Sequence, residues 1–160
     1  MVTPVSRFGL MLGKLIPYGV IGSCETCVVL GLMRFLFGVP VAGSLWLLAA
    51  FSLVFVFTAL GLGLLISTIA TNQVQAVQVA FFIILPSVLL SGFVFPQENM
   101  PTIIYWASHA IPLTYFMRIL RGIIIRGAGF HDLWPHAAIL GAIGLAVFVT
   151  SVLRFRKTVS

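Results

Sequence analysis

Hydrophobic positions in this chain gather into four long blocks, at residues 15–37, 45–69, 75–95 and 136–153. Crossing a hydrocarbon core takes about 20 predominantly apolar residues in helical form, so each block reads as a membrane span. No charged residue lies between Arg34 and Glu98, a stretch with room for more than one crossing. Gly38-Val39-Pro40 closes the first block and Gly43-Ser44 opens the second. Thr71, Asn72, Gln73, Gln75 and Gln78 mark a polar turn into the third. Pro86 predicts a kink in that third helix and Pro96 its end. Gly61 and Gly63 predict close approach of a neighbouring backbone.

The first span is the weakest. Its eleven Leu, Ile, Val and Phe residues favour insertion by roughly 3 to 6 kcal/mol, and a charge at mid-span costs about 3. Glu25 is that charge, so the helix is expected to pack against others. Arg34, near its far end, can snorkel to the interface. Upstream, residues 1–14 read as a cytoplasmic interfacial segment. Thr3-Pro4 begins a short helix there, with Val5, Phe8, Leu12 and Leu15 on one face and Ser6, Arg7 and Lys14 against them.

Residues 96–135 break the pattern. Pro96, Pro101 and Pro112 cut them into pieces too short to cross. Over residues 113–126, Phe116, Leu120, Ile123 and Ile124 share one helix face, opposite Thr114, Arg118, Arg121 and Gly122. Such segments lie in the interface or re-enter the membrane against protein. The predicted fold is therefore an all-α integral membrane protein, with four transmembrane helices and a broken re-entrant or interfacial helical segment before the last span. Four crossings place both termini on one side. That side carries Arg7, Lys14, Arg154, Arg156 and Lys157, against Arg34, Arg118, Arg121 and Arg126 opposite, with Glu98 and Asp132 offsetting them. The bias towards cytoplasmic termini in the cell (inner or plasma) membrane is slight.

Composition agrees with the pattern. The chain is 61% hydrophobic and 8% charged, where soluble domains carry about 25% charged residues. Its formal net charge of +6 sits at helix ends and in the broken segment, which suits anionic lipid headgroups rather than nucleic acid. Gly13-Lys14-Leu15 lacks the Ser or Thr and the upstream spacing of a phosphate loop. No ATP hydrolysis, catalytic group, cofactor or metal is expected of the chain itself. Cys24 and Cys27 read as helix-packing residues, with redox or metal chemistry as the alternative. His109, His131 and His136 lack ligand spacing and read as interfacial polar residues. Glu25 is either a buried hydrogen-bonding residue at a helix contact or a direct participant in substrate passage. Arg118 and Arg121 either anchor the segment at the interface or bind an anionic headgroup or substrate.

One ordered series of residues carries more. It runs from Gly13-Lys14-Leu15-Ile16-Pro17-Tyr18 through Phe37-Gly38-Val39-Pro40 to Gly61-Leu62-Gly63-Leu64-Leu65-Ile66-Ser67. Leu90-Ser91-Gly92-Phe93-Val94-Phe95-Pro96, Met100-Pro101, Pro112-Leu113-Thr114-Tyr115-Phe116, Arg121-Gly122 and Leu133-Trp134-Pro135 follow. In this series the chain resembles the permease subunits of type-2 ATP-binding-cassette exporters. The resemblance implies a six-helix permease that dimerises on two cytoplasmic ATPase subunits, whose nucleotide-driven closure switches it between inward- and outward-facing states. It also implies that the broken segment re-enters from the outer side. Such permeases carry a further N-terminal half, and this chain looks like the C-terminal four-helix half. The expected partners are accordingly an ATPase subunit, a second permease copy or a separate N-terminal half, and membrane lipids.

Under this reading the chain exports an unidentified amphipathic substrate. The outer gate and re-entrant element comprise Ser91, Gly92, Pro96, Met100, Pro101, Pro112, Thr114, Tyr115, Arg121 and Gly122. Tyr115 and Arg121 orient that element at headgroup level. Arg7 and Phe8 are the residues expected to face the ATPase, and Glu25 is the intramembrane acid. The alternative function is a non-transporting assembly or scaffold subunit.

Overall fold

A computed structural model describes residues 7–154, with side chains from residue 9 onward. Six α-helices follow one another: α1 (Arg7–Gly31), α2 (Leu45–Ile69), α3 (Gln73–Leu90), α4 (Thr102–Ser108), α5 (Pro112–Arg126) and α6 (Phe130–Arg154). A π-helical turn over Leu32–Leu36 extends α1, and a 3-10 turn over Gln97–Asn99 lies between α3 and α4. There is no strand among the described residues. Four helical stretches are long and apolar enough to cross a membrane: Gly9–Leu36, α2, α3 and α6. The chain is an all-α, multi-pass integral membrane protein.

The caps explain where the spans begin and end. Ser44 caps α2 by accepting from the Leu47 N–H at 3.5 Å. At α3 the Asn72 side chain accepts from Gln75 N–H (2.8 Å), while Gln75 Oε1 accepts from the Thr71 N–H (2.8 Å). This reciprocal pair turns the polar stretch into a sharp helix start. The third span stops at Leu90 rather than continuing to residue 95, and α3 runs through Pro86 without a break in the helix.

Two further boundaries differ from expectation. The amphipathic turns near the N-terminus are not a separate interfacial helix but the first part of α1, from Arg7. Met11 and Leu15, one turn apart, bury against Phe148 of α6, which aligns these turns with the span. The proposed helix start at Thr3-Pro4 lies outside the described residues. The last span starts at Phe130, six residues before His136, with Pro135 inside the helix. Phe130 stacks on Phe51 of α2 at a centroid distance of 6.0 Å, and Leu133 is fully buried in the core. Those contacts carry the helix past the polar residues that suggested a later start.

The core is built on α2 and α6, with α5 laid against both: Leu48, Phe51, Tyr115, Ile119, Ile123, Leu133, Ala137 and Leu140 form one buried cluster. Small residues let α2 and α6 come close. A Cβ on Gly61 would already be in van der Waals contact with the Gly144 carbonyl oxygen (3.6 Å). A Cβ on Gly144 would overlap Thr58. Thr58 Oγ1 donates within reach of Val54 O (2.9 Å) and Leu140 O (3.3 Å), and Ser151 Oγ lies 3.3 Å from Gly61 O. Lipid offers little hydrophobic driving force between helices, so close contact and cross-helix hydrogen bonds hold this pair. Gly63 faces open space and contributes no such contact. As expected, α1 packs on other helices, α2 and, through Met11 and Leu15, α6, while most of its surface is exposed among the described residues. Cys24 and Cys27 are exposed free thiols on it rather than packing residues.

The broken segment is a helical hairpin. The first turns of α5 reach deep along α2, where Phe116 stacks on Phe55 at 4.4 Å. Its end returns to the start of α2, where a Cβ on Gly43 would meet Ile123 O at 2.9 Å and Ala42 N–H donates to Ile124 O at 3.1 Å. Gly127, at φ 62°, closes α5 in a left-handed cap. Seven residues of α4 and fifteen of α5 extend about 10 and 22 Å, short of the roughly 30 Å hydrocarbon core.

Candidate functional site

The residues singled out around the breaks converge where α3, α4 and α5 meet. The Ser91 hydroxyl donates to Val88 O (3.0 Å) and accepts from Phe93 N–H (3.3 Å), ending α3 with its own side chain. Gly92 then turns the chain at φ 87°, a conformation other residues rarely adopt. A Cβ there would also lie 3.2 Å from Gln97 Cγ. Pro96, with φ fixed near −56°, starts the 3-10 turn, and Met100 closes it by donating to Gln97 O at 3.2 Å. Pro101 accepts from Tyr105 N–H (3.0 Å) and so opens α4. Pro112 occupies the start of α5, where its missing N–H costs nothing.

Two hydrogen bonds, one buried and one partly buried, tie the end of α4 to the first turn of α5. Thr114 Oγ1 donates to Ser108 O at 2.7 Å, and Tyr115 Oη donates to His109 O at 2.8 Å. Both side chains are buried, which corrects one expectation. Thr114 does not share the solvent face of the arginines, because its hydroxyl is consumed in capping α4. The ring of Tyr115 is part of the core cluster. Gly122 too is buried rather than on the polar face: a Cβ there would lie 2.8 Å from Leu133 Cδ2 of α6.

The hairpin is joined to the end of α3 by arginines. Arg118 donates to Gln97 Oε1 through Nε (3.3 Å) and Nη2 (3.0 Å), and its Nη2 lies 3.2 Å from His109 Nε2. A guanidinium only donates, so His109 Nε2 is the acceptor and its Nδ1 carries the proton given to Tyr105 O at 2.9 Å. Arg121 donates to the Gly92 carbonyl itself. Gln97 Nε2 completes the set 3.4 Å from Ser108 Oγ. A cavity of about 250 Å³ lies among Ser91, Pro96, Gln97, Glu98, Tyr105, Met117, Arg118 and Arg121. Sequence reasoning missed Gln97, Ser108 and the use of His109, since their partners are 11, 21 and 9 residues away and follow no local spacing.

Glu25 is not buried at a helix contact. It is exposed, and it lines a groove of about 490 Å³ between α1, α2 and α5. The other walls include Val29, Leu30, Phe55, Val56, Phe116 and Leu120, leaving Glu25 as the only charged residue in the lining. No intrachain partner for its carboxylate is present among the described residues. The side chains of Arg7 and Phe8 lie outside the described ones. No group of three or more His, Cys, Asp or Glu side chains is placed to hold a metal ion among the described residues.

Together these features define a polytopic membrane protein with a polar-clamped pair of short helices beside an apolar groove. Residues 1–125 match the family described as ABC-2 type transporter, and the chain belongs to that family. It is 41% identical over 126 residues to a probable multidrug ABC transporter permease, YbhS, of Escherichia coli K12, covering 78% of this chain and 33% of the relative. It is 33% identical over 160 residues to the inner membrane transport permease YhhJ of the same organism, covering 99% of this chain and 43% of YhhJ. ABC transporter G family member 23 of Dictyostelium discoideum is 29% identical over 158 residues, covering 94% of this chain and 22% of the relative. The chain thus spans well under half the length of these relatives. No solved structure matches it.

Proposed function

We propose that this chain forms the gate-bearing part of an ABC exporter permease that moves an amphipathic substrate across the inner or plasma membrane. A separate ATPase subunit supplies the energy, and Arg7 and Phe8 face it from the cytoplasmic side, where both termini lie. The remaining permease surface is completed by a second copy or by a separate N-terminal half. The observation that carries this reading is the hairpin: the end of α4 is tied to the first turn of α5 by two hydrogen bonds, while Arg121 binds the carbonyl of Gly92 just past α3 and Arg118 binds Gln97 in the turn before α4. Such a unit can move as a body while its internal contacts persist. Its pivots are the break at residues 91–96 and the glycines Gly127 and Gly129.

The groove at Glu25 supports an amphipathic cargo, with apolar walls for its body and one carboxylate for a positive pole. ATP-driven closure below would release the hairpin above and open the groove outward. The test is transport by the full complex with its ATPase in proteoliposomes. Gly92→Leu and Pro96→Ala should each cut export at least tenfold while membrane insertion stays unchanged, because the substitutions alter the angle of the break and not the spans. Export at the unsubstituted rate in both variants would remove the gate assignment. Failure of any ATPase to copurify with the chain and its neighbours would remove the transport reading.

A further inference from the structure

A second cavity, of about 450 Å³, opens between α5 and α6 on the other side of the arginine row. Its lining is Arg118, Arg121, Ile125, Arg126 and His136, so it contains three guanidiniums, one imidazole and no acid. Arg118, Gly122 and Arg126 stand one turn apart along α5. A Cβ on Gly122 would lie 3.4 Å from Arg126 Nη2, so the Arg126 head folds back along the helix instead of extending away. Arg126 has no hydrogen bond or ion pair among the described residues. His136 also lines the cavity, and its Nδ1 is buried without a hydrogen-bond partner among the described residues. A buried polar atom left unpaired is costly, and native interiors rarely leave one so.

Like charges gathered in one half-enclosed cavity repel, and an anion placed among them removes the repulsion while accepting from several donors at once. Arg118 and Arg121 each have donors to spare after binding Gln97 and Gly92, since a guanidinium carries five N–H groups. Asp132, one turn before His136 on α6, is the nearest acid in sequence, and it makes no ion pair with them among the described residues. Beside the charges lies Ile125, which is 71% exposed. A charged recess with an apolar residue at its rim, on a helix of membrane depth, suits a headgroup whose tails lie outside it.

We propose that the cavity between α5 and α6 binds the phosphate group of an anionic phospholipid, held by Arg118, Arg121 and Arg126 with His136 as a further contact. Arg121 also ties α5 to the chain just past α3 at Gly92 O, and Arg118 ties it to the turn at Gln97, so a bound headgroup brings lipid composition to bear on the hairpin. The site itself does not depend on the chain being an exporter, and its test needs no transport.

The full chain is purified in a neutral detergent, and its unfolding midpoint is followed on titration with phosphatidylglycerol, phosphatidylcholine of the same acyl chains, or inorganic phosphate. Phosphatidylglycerol should raise the midpoint by several degrees, with phosphatidylcholine without effect. Arg126→Gln, which breaks no intrachain bond, should weaken the half-saturating phosphatidylglycerol concentration at least fivefold, while Arg154→Gln and Asp132→Asn should not. Competition by millimolar inorganic phosphate would support a site that reads the phosphate alone. Binding of phosphatidylglycerol without such competition would support one that also needs the tails. Equal stabilisation by both lipids, or equal weakening by Arg126→Gln and Arg154→Gln, would overturn the proposal.

Discussion

At the scale of single residues, the polar side chains inside the membrane region divide by whether the fold gives them a partner. Thr58, Thr114 and Ser151 donate to backbone carbonyls and so cost little where they are buried. Glu25 has no such partner and faces an apolar groove. A charge near mid-span costs about 3 kcal/mol on insertion, so its retention here fits a use in the groove. Glu25→Gln should therefore increase the inserted fraction of α1, measured by glycosylation mapping of the isolated span. In the same variant, transport of cationic amphiphiles by the full complex should fall about tenfold, with uncharged amphiphiles much less affected. Equal losses for both classes would show that the carboxylate does not read charge.

Among the helices, one pair differs from the rest in how it is held. The α2–α6 contact rests on Gly61, Gly144, Thr58 and Ser151, where backbones approach without large side chains between them. Overpacking such a contact typically costs about 1–3 kcal/mol. Gly144→Val should lower the stability of the purified protein by that order, read from denaturation in mixed micelles. Gly63→Val, in open space two residues from the contact, should leave it nearly unchanged. The two glycines Gly61 and Gly63 look alike in sequence, both set in an apolar run, and only the helix facing them tells them apart. The same holds on α5, where Thr114 shares a helical face with Arg118 and Arg121 by spacing but is taken out of it by Ser108 O.

For the whole molecule, the number of crossings fixes the position of the ends. In the proposed topology α4 and α5 return to the side they entered from, which leaves the four candidate spans, within α1, α2, α3 and α6, as an even number of passages. Tags at the N- and C-termini should be cleaved by protease on the same membrane face. A tag inserted at Gly129, between α5 and α6, should be cleaved on the opposite face. Termini on opposite faces would require the hairpin to cross.

Much of this protein was written in its sequence. The four spans, the polar turn at residues 71–78 and the breaks at Pro96, Pro101 and Pro112 follow from apolar length and from residues that cannot continue a helix. These effects act within a few residues of their cause, so no knowledge of neighbours in space is needed to see them. The burial of Thr114, Tyr115 and Gly122, the clamp through Gln97 and His109, the exposure of Glu25 and the cavity around Arg126 and His136 were decided only by tertiary structure. Each depends on which side chain from a distant helix arrives at that point, and an apolar helix offers nearly the same surface all round. Local chemistry sets where such helices begin and end; their mutual packing sets which face meets protein and which meets lipid.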